Sequence, residues 1–229
     1  MPGLLPLGEG QRREWLRSYQ QTFLERDLLD LARLPDLDPF RSLEQLAMLR
    51  SGQLLSYADL ARDAGIAPST ARGYLRYLQL SYQVVLLRPF HTNLTSTVIK
   101  APRLYWVDLG LLRQGTLQWG PATGPLFEGL VVVECRKWID TMAADAKLYF
   151  YRTRSGLEVD LLVETAAGVL GIEIKHRDGA VRSDATSLAA LAEALGPRWL
   201  GGLVVTRGGA IRPLRPDHSI WSVPAHRLF

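Results

Sequence analysis

Cysteine is almost missing from this chain: of 229 residues only Cys135 is one. One thiol cannot form an internal disulfide, so a reducing, cytoplasmic setting is expected. Long hydrophobic runs are missing as well. No apolar stretch reaches the ~18 residues that a membrane-spanning helix needs. The N-terminus MPGLLPLGEGQRREW has no basic segment followed by an apolar one, so no signal peptide is expected. There is no internal repeat and no low-complexity tract. No G-x-x-x-x-G-K-[ST] occurs anywhere, so the backbone cradle and lysine that hold nucleotide phosphates are lacking. No nucleotide cofactor is expected.

What is present describes an ordinary globular protein. Hydrophobic residues make up 47% and charged residues 22%, in a length that suits one large or two modest domains. The formal charge of +4 and a pI near 9.4 are compatible with a polyanionic partner without requiring one.

Along the chain, helical periodicity over residues 12–33 places Trp15, Tyr19, Phe23 and Leu24 near one face. The two prolines of LPDLDPF break it, and a second helix is predicted over 41–51. The stretch LSYADLARDAGIAPSTARGYLRYLQ then reads as helix, Gly65-containing turn and helix, with Ser69 as N-cap and Leu75 and Leu78 buried. Two β-type segments, YQVVLLRPF and RLYWVD, flank the polar loop HTNLTSTVIKAP and read as the wing of a winged helix. Asp108, Gly110 and Gly115 are taken to mark the exit into a loop, RQGTLQWGPATGP. A helix over 126–143 follows, then strands near 147–152, 157–164 and 169–175, a helix over 182–195 and a strand over 202–206. The tail WSVPAHRLF would add a last strand. The expected organisation is a helical segment (1–40), a winged-helix domain (41–112), a linker (113–125) and an α-β-β-β-α-β domain (126–229). The fold class is therefore mixed α/β (α+β).

The chemistry concentrates in RSGLEVDLLVETAAGVLGIEIKH, residues 154–176. Charges inside apolar strands cost folding energy unless they are paired or bound. Strand alternation points Glu173 and Lys175 to one face and Ile172 and Ile174 to the other. A hairpin can bring Asp160 beside Glu173. Two carboxylates meeting at one point suit a hard divalent cation, Mg²⁺ or Mn²⁺. Such an ion lowers the pKa of a bound water and polarises a phosphodiester, while the Lys175 ammonium can orient the water or stabilise developing charge. Arg152 and Arg154, just upstream, are candidates for flanking phosphates. The plainer alternative is a solvated salt-bridge cluster on the outer face of an antiparallel sheet. In that view Arg152 and Arg154 cap a wet edge, His176 is a surface residue and Cys135 a small core residue.

Asp160 followed by Glu173-Ile174-Lys175 resembles the PD-(D/E)XK nuclease motif, with Val159 where that motif has proline. The resemblance implies a restriction-endonuclease-like α-β-β-β-α-β core. It implies a metal held by Asp160, Glu173 and the Ile174 carbonyl, with Lys175 positioning the water. It also puts Glu128, in LFEGLVVVE, in the place of a further acidic residue, although an acid near a helix N-terminus is favoured by the dipole alone. More widely, YQQTFLERDLLDLARLPDLDPFRSLEQLAML, KAPRLYWVDLGLL and the stretches already quoted resemble the C-terminal half of a family of bacterial and archaeal ATPases. That half is catalogued as domain of unknown function 4143, and the likeness runs closely over residues 15–175 and loosely beyond. It implies an AAA+ ATPase partner, in cis in a longer form or in trans.

Three functions remain open on these residues. The first is a metal-dependent nuclease fed by the winged helix. The second is a DNA-binding module on a catalytically silent scaffold, with Arg72, Arg76, Lys100 and Arg103 on phosphates. The third is a protein-interaction module presenting Tyr74, Tyr77 and Tyr82. The intact Asp160, Glu173 and Lys175 set favours the first, and no membrane partner is expected. A homo-oligomer is compatible with all three.

Overall fold

A computed structural model describes residues 2–23, 26, 37–91 and 100–228. The chain divides into two compact units, Met1–Leu86 with Leu104–Pro121, and Leu87–Arg103 with Ala122–Phe229.

The first unit is mainly helical. It contains α1 (Glu9–Thr22), α2 (Asp38–Leu49), α3 (Tyr57–Asp63), α4 (Pro68–Leu80) and α5 (Leu109–Thr116). The strands β1 (Val84–Pro89) and β2 (Arg103–Trp106) each begin in one unit and end in the other. Apolar residues at helical spacing form its core: Phe40, Leu43 and Ala47 on α2, Leu60 on α3, and Ala71, Leu75 and Leu78 on α4 are all fully buried. The Ser56 hydroxyl accepts from Asp59 N at 3.2 Å and starts α3. The turn after α3 uses Gly65 at φ +67°, a left-handed conformation that costs glycine little.

Three sequence expectations need correction here. Ser69 does not cap α4; Ala67 occupies the cap position and Pro68 opens the helix, where its missing N–H does no harm. Gly110 and Gly115 lie inside a helix, not in a loop. Asp108 caps that helix, accepting from Leu111 N at 2.9 Å, and a side chain on Gly115 would run into the Met48 sulfur. The linker expected from residue 113 therefore begins with the end of α5. The predicted first helix is seen to Thr22, and most of its remainder, like residues 92–99 of the expected polar loop, lies outside the described residues.

The second unit contains α6 (Gly124–Thr141), β3 (Ala146–Arg152), β4 (Glu158–Thr165), β5 (Gly168–Asp178), a 3-10 turn (Arg182–Ala185), α7 (Thr186–Leu195), β6 (Trp199–Gly208), β7 (Arg212–Arg215) and β8 (Ile220–Pro224). The α-β-β-β-α-β order read from the sequence is present, extended by β7 and β8. The strand order is β2-β1-β3-β4-β5-β6-β8-β7. β4 runs antiparallel to β3 and β5, whereas β6 runs parallel to β5 and β8. Strand β5 is thus internal to a mixed sheet.

Side chains alternate along β5 between two helices. Leu188 of α7 packs over Gly171, and the Phe127 ring of α6 lies 5.5 Å from His176. Leu161, Leu162, Val169, Leu188, Leu191, Val204 and Ile220 are fully buried. An internal strand covered on both faces leaves no solvated side for polar residues.

Candidate active site

The β4–β5 hairpin builds the site. Thr165 pairs with Gly168 and Leu161 with Ile172, a register that carries Asp160 next to Glu173. By alternation Glu173 shares the face of Gly171 and lies on the α7 side, while Ile172 and Ile174 turn the other way. The sequence reading of these three positions is correct in direction. It is incomplete in one respect: Glu173 is only 8% exposed, as buried as Ile174. A solvated cluster on an outer sheet face is therefore excluded for this carboxylate.

The contacts within the site are specific. Ile174 N donates to Asp160 Oδ2 at 2.8 Å, and Lys175 Nζ donates to Glu173 Oε1 at 2.7 Å. Glu173 Oε2 is buried and has no hydrogen-bond partner among the described residues. Burial pushes the Glu173 carboxyl up to about 7; the Asp160 and Asp184 charges add to that rise, and Lys175 opposes it. Burial also raises Asp160, against the Ile174 N–H and the charges of Lys175 and Arg103. Desolvation works against the Lys175 ammonium, yet the hydrogen bond to Glu173 and the charges of Glu173, Asp160 and Asp184 hold its pKa above the usual lysine value. The site has more negative charge than its own cations neutralise comfortably.

Arg103 closes the other side. Its guanidinium donates to Glu128 Oε1 at 3.1 Å, ion-pairs with Glu158 Oε1 and approaches Asp160 Oδ1 at 3.9 Å. Arg152 reaches Glu158 Oε2 at 3.4 Å. Expected on phosphates, Arg103 is instead only 6% exposed and faces carboxylates, because its side chain reaches Glu128 on α6 and Glu158 and Asp160 on β4. Glu128 meets Arg103 rather than standing alone at a helix N-terminus. Arg154 is exposed in the β3–β4 turn and Lys100 is exposed. On α4, Arg72 and Arg76 are exposed, and the Arg72 guanidinium lies 5.1 Å from the Tyr57 ring centre.

Two acids escaped the sequence reading. Glu158 stands two residues before Asp160, and strand alternation alone could have flagged it. Asp184, in the 3-10 turn, pairs with Arg177 and accepts from Val181 N at 2.8 Å. Nothing local in the sequence ties Asp184 to Glu173.

Among the described residues no group of three or more His, Cys, Asp or Glu forms a metal cage. The donor set on offer is smaller: the carboxylates of Asp160 and Glu173, with the Ile174 carbonyl between Glu173 and Lys175. An unpartnered, buried Glu173 Oε2 and carboxyls raised by burial are features that suit a hard cation. These residues fit Mg²⁺ or Mn²⁺.

Buried acids at the edge of a strand hairpin, under a helix that follows, define a mixed α/β domain with a charged internal site. The chain belongs to the family described as domain of unknown function DUF8612, whose model matches residues 1–120. The model of a second domain of unknown function, DUF4143, matches residues 123–228 and so contains the whole Asp160–Lys175 site. The DUF4143 likeness read over residues 15–175 is thereby corrected: the helical N-terminal part has a family of its own. Uncharacterised proteins of Mycobacterium bovis and Mycobacterium tuberculosis are each 35% identical over 170 residues, covering 71% of this chain. The chain spans 37% of the length of these relatives. A crystal structure of a Vibrio cholerae protein matches at 16% identity with a TM-score of 0.34, covering 97% of this chain and 55% of that one. No helix among the described residues is long and apolar enough to cross a membrane.

Proposed function

We propose that this chain is a divalent-metal-dependent nuclease that hydrolyses phosphodiester bonds in DNA. The observation that carries the reading is the buried Asp160–Glu173 pair, with Glu173 Oε2 unpartnered and Lys175 alongside. Asp160, Glu173 and the Ile174 carbonyl would hold Mg²⁺ or Mn²⁺. When bound, such an ion supplies a low-pKa water and Lewis acidity toward a phosphoryl oxygen. Lys175 keeps its proton and can donate to a water or to a non-bridging oxygen. The Ile174 N–H holds Asp160 Oδ2, and Oδ1, 3.9 Å from Arg103, is the oxygen left for a metal.

The α3–turn–α4 unit, followed by β1 and β2, supports a winged-helix module that delivers the nucleic acid, with Arg72 and Arg76 on phosphates. The resemblance to ATPase-linked proteins supports a partnership with an AAA+ module in a longer form or in trans. The single cysteine supports a cytoplasmic setting.

A second reading is a catalytically silent, nuclease-like scaffold that binds DNA or protein. It draws on the Lys175–Glu173 and Arg103–Glu128 pairs, which satisfy several of the charges without any metal. A cleavage assay on single-stranded, duplex and branched DNA with Mg²⁺ or Mn²⁺ separates the two. The nuclease predicts metal-dependent cutting that Glu173→Gln abolishes. Metal binding without cutting of any of these substrates would move the assignment to the scaffold.

A further inference from the structure

Arg103 stands in a charge cluster that departs from the ligand set implied by the nuclease resemblance. Its side chain is 7% exposed, and its guanidinium lies 5.1 Å from the Phe150 ring centre. The same group meets Glu128 on α6 and, on β4, Glu158 and Asp160. A guanidinium is a planar fork with five N–H donors and can serve several carboxylates at once. A carboxylate hydrogen-bonded to a buried guanidinium, as Glu128 is at 3.1 Å, is a poor metal ligand, whereas Asp160 Oδ1 at 3.9 Å is beyond hydrogen-bond reach. A dication placed on it would sit a few ångströms from a fixed positive charge, in surroundings where water screens little.

We infer that Arg103 is a built-in counter-ion that keeps Glu128 out of the metal site and positions Asp160, leaving Asp160 and Glu173 as the side-chain ligands among the described residues. This rests on the metal reading proposed above. The charges agree with it. Glu128, Glu158, Asp160 and Glu173 face Arg103, Arg152 and Lys175, so a single dication suffices. Without Arg103 the same acids would carry one more unbalanced negative charge, and Glu128 would be open to the metal. Arg103 therefore acts through its neighbours as a positioning residue that selects which carboxylates reach the metal.

The test is Mn²⁺ binding to the full chain, followed by the electron paramagnetic resonance signal of free Mn²⁺, with melting curves to confirm that each variant folds. Asp160→Asn should weaken binding by about tenfold or more, as loss of a ligand or its support does. Glu128→Gln should stay within about twofold of the parent, as independent sites do. Arg103→Lys cannot span the carboxylates. It should release Glu128 and raise Mn²⁺ affinity, and that gain should vanish in the Arg103→Lys, Glu128→Gln double variant. If Glu128→Gln weakens binding as much as Asp160→Asn, or if the Arg103→Lys gain survives removal of Glu128, the inference is overturned while the metal reading stands. If the parent binds no Mn²⁺, or binds it equally well after both Asp160→Asn and Glu173→Gln, the metal reading fails first and takes this inference with it. Should Arg103→Lys fail to fold, the Glu128→Gln result decides alone.

Discussion

Lys175 Nζ lies 2.7 Å from Glu173 Oε1, while the second oxygen of that carboxylate is buried with no hydrogen-bond partner among the described residues. A buried ion pair is most stable when its remaining lone pairs are satisfied, and here half of the acceptor is not. With Asp160 adding negative charge from the neighbouring strand, the pair is poised to accept a cation.

Gly171 should tolerate no side chain. A Cβ there would lie 2.6 Å from the Trp199 ring and 2.7 Å from Leu188, both packed on the sheet beside the site. Gly171→Ala should destabilise the protein by about 1–3 kcal/mol through overpacking, read by thermal melts and a change in Trp199 fluorescence. Wild-type stability in this variant would mean that α7 does not press on β5 as described.

Glu44 on α2 supplies a pH test independent of any metal. Burial raises its pKa from 4.5 to about 7, against a hydrogen bond from Gln20 and the charge of Arg41. A carboxyl raised on folding stabilises the fold fully below its unfolded pKa, and that stability is lost as pH rises through the folded pKa. The loss should run between about pH 4.5 and 7 and amount to at most about 3 kcal/mol from this group. Glu173 contributes a slope of the same sign in metal-free protein. Glu44→Gln should flatten its share of the decline, measured by denaturant titrations at pH 5 and pH 8. An unchanged slope would show that Glu44 is not desolvated in the native state.

Arg72 and Arg76 lie four residues apart, one turn, on the exposed side of α4. If they contact duplex phosphates, Arg72→Ala with Arg76→Ala should weaken binding to all sequences alike. The salt dependence, log K against log salt, should lose about two units of slope. Unchanged affinity would remove α4 from the nucleic-acid account and turn attention to its tyrosines as a protein surface.

How far the sequence reveals these features depends on the range of the force involved. The common face of Glu173 and Lys175 was legible because strand alternation is local. Burial of Leu75 and Leu78 was legible because helical periodicity is local too. Asp108 and Gly115 misled because their reasons are cap geometry and the approach of Met48, and neither leaves a periodic trace. The strand β7 was missed because Pro213 reads as a breaker, although a proline is tolerated on an edge strand. Arg103 was assigned to the surface because its partners Glu128, Glu158 and Asp160 come from other elements, and a charge shows its counter-ions only in the folded chain.

Asp160→Asn gives the sharpest test of the site, because the two readings differ in sign. Burial raises the Asp160 pKa even though the Ile174 N–H, Lys175 and Arg103 all favour its charged form. The ionised carboxylate is therefore a net cost to the metal-free fold at neutral pH. Asparagine keeps an oxygen for the Ile174 N–H and removes the charge facing Glu173, and Arg103 retains Glu128 and Glu158. Without metal, Asp160→Asn should melt higher than the parent, because it removes a buried charge. With Mn²⁺ at about a hundred times its dissociation constant, the parent should gain about 2.7 kcal/mol by mass action and the variant little, so the order of melting reverses. If Asp160 serves only as a partner for Lys175 and Arg103, the substitution should lower the melting temperature under both conditions and Mn²⁺ should shift neither protein. That outcome would remove the metal site, and the nuclease chemistry with it.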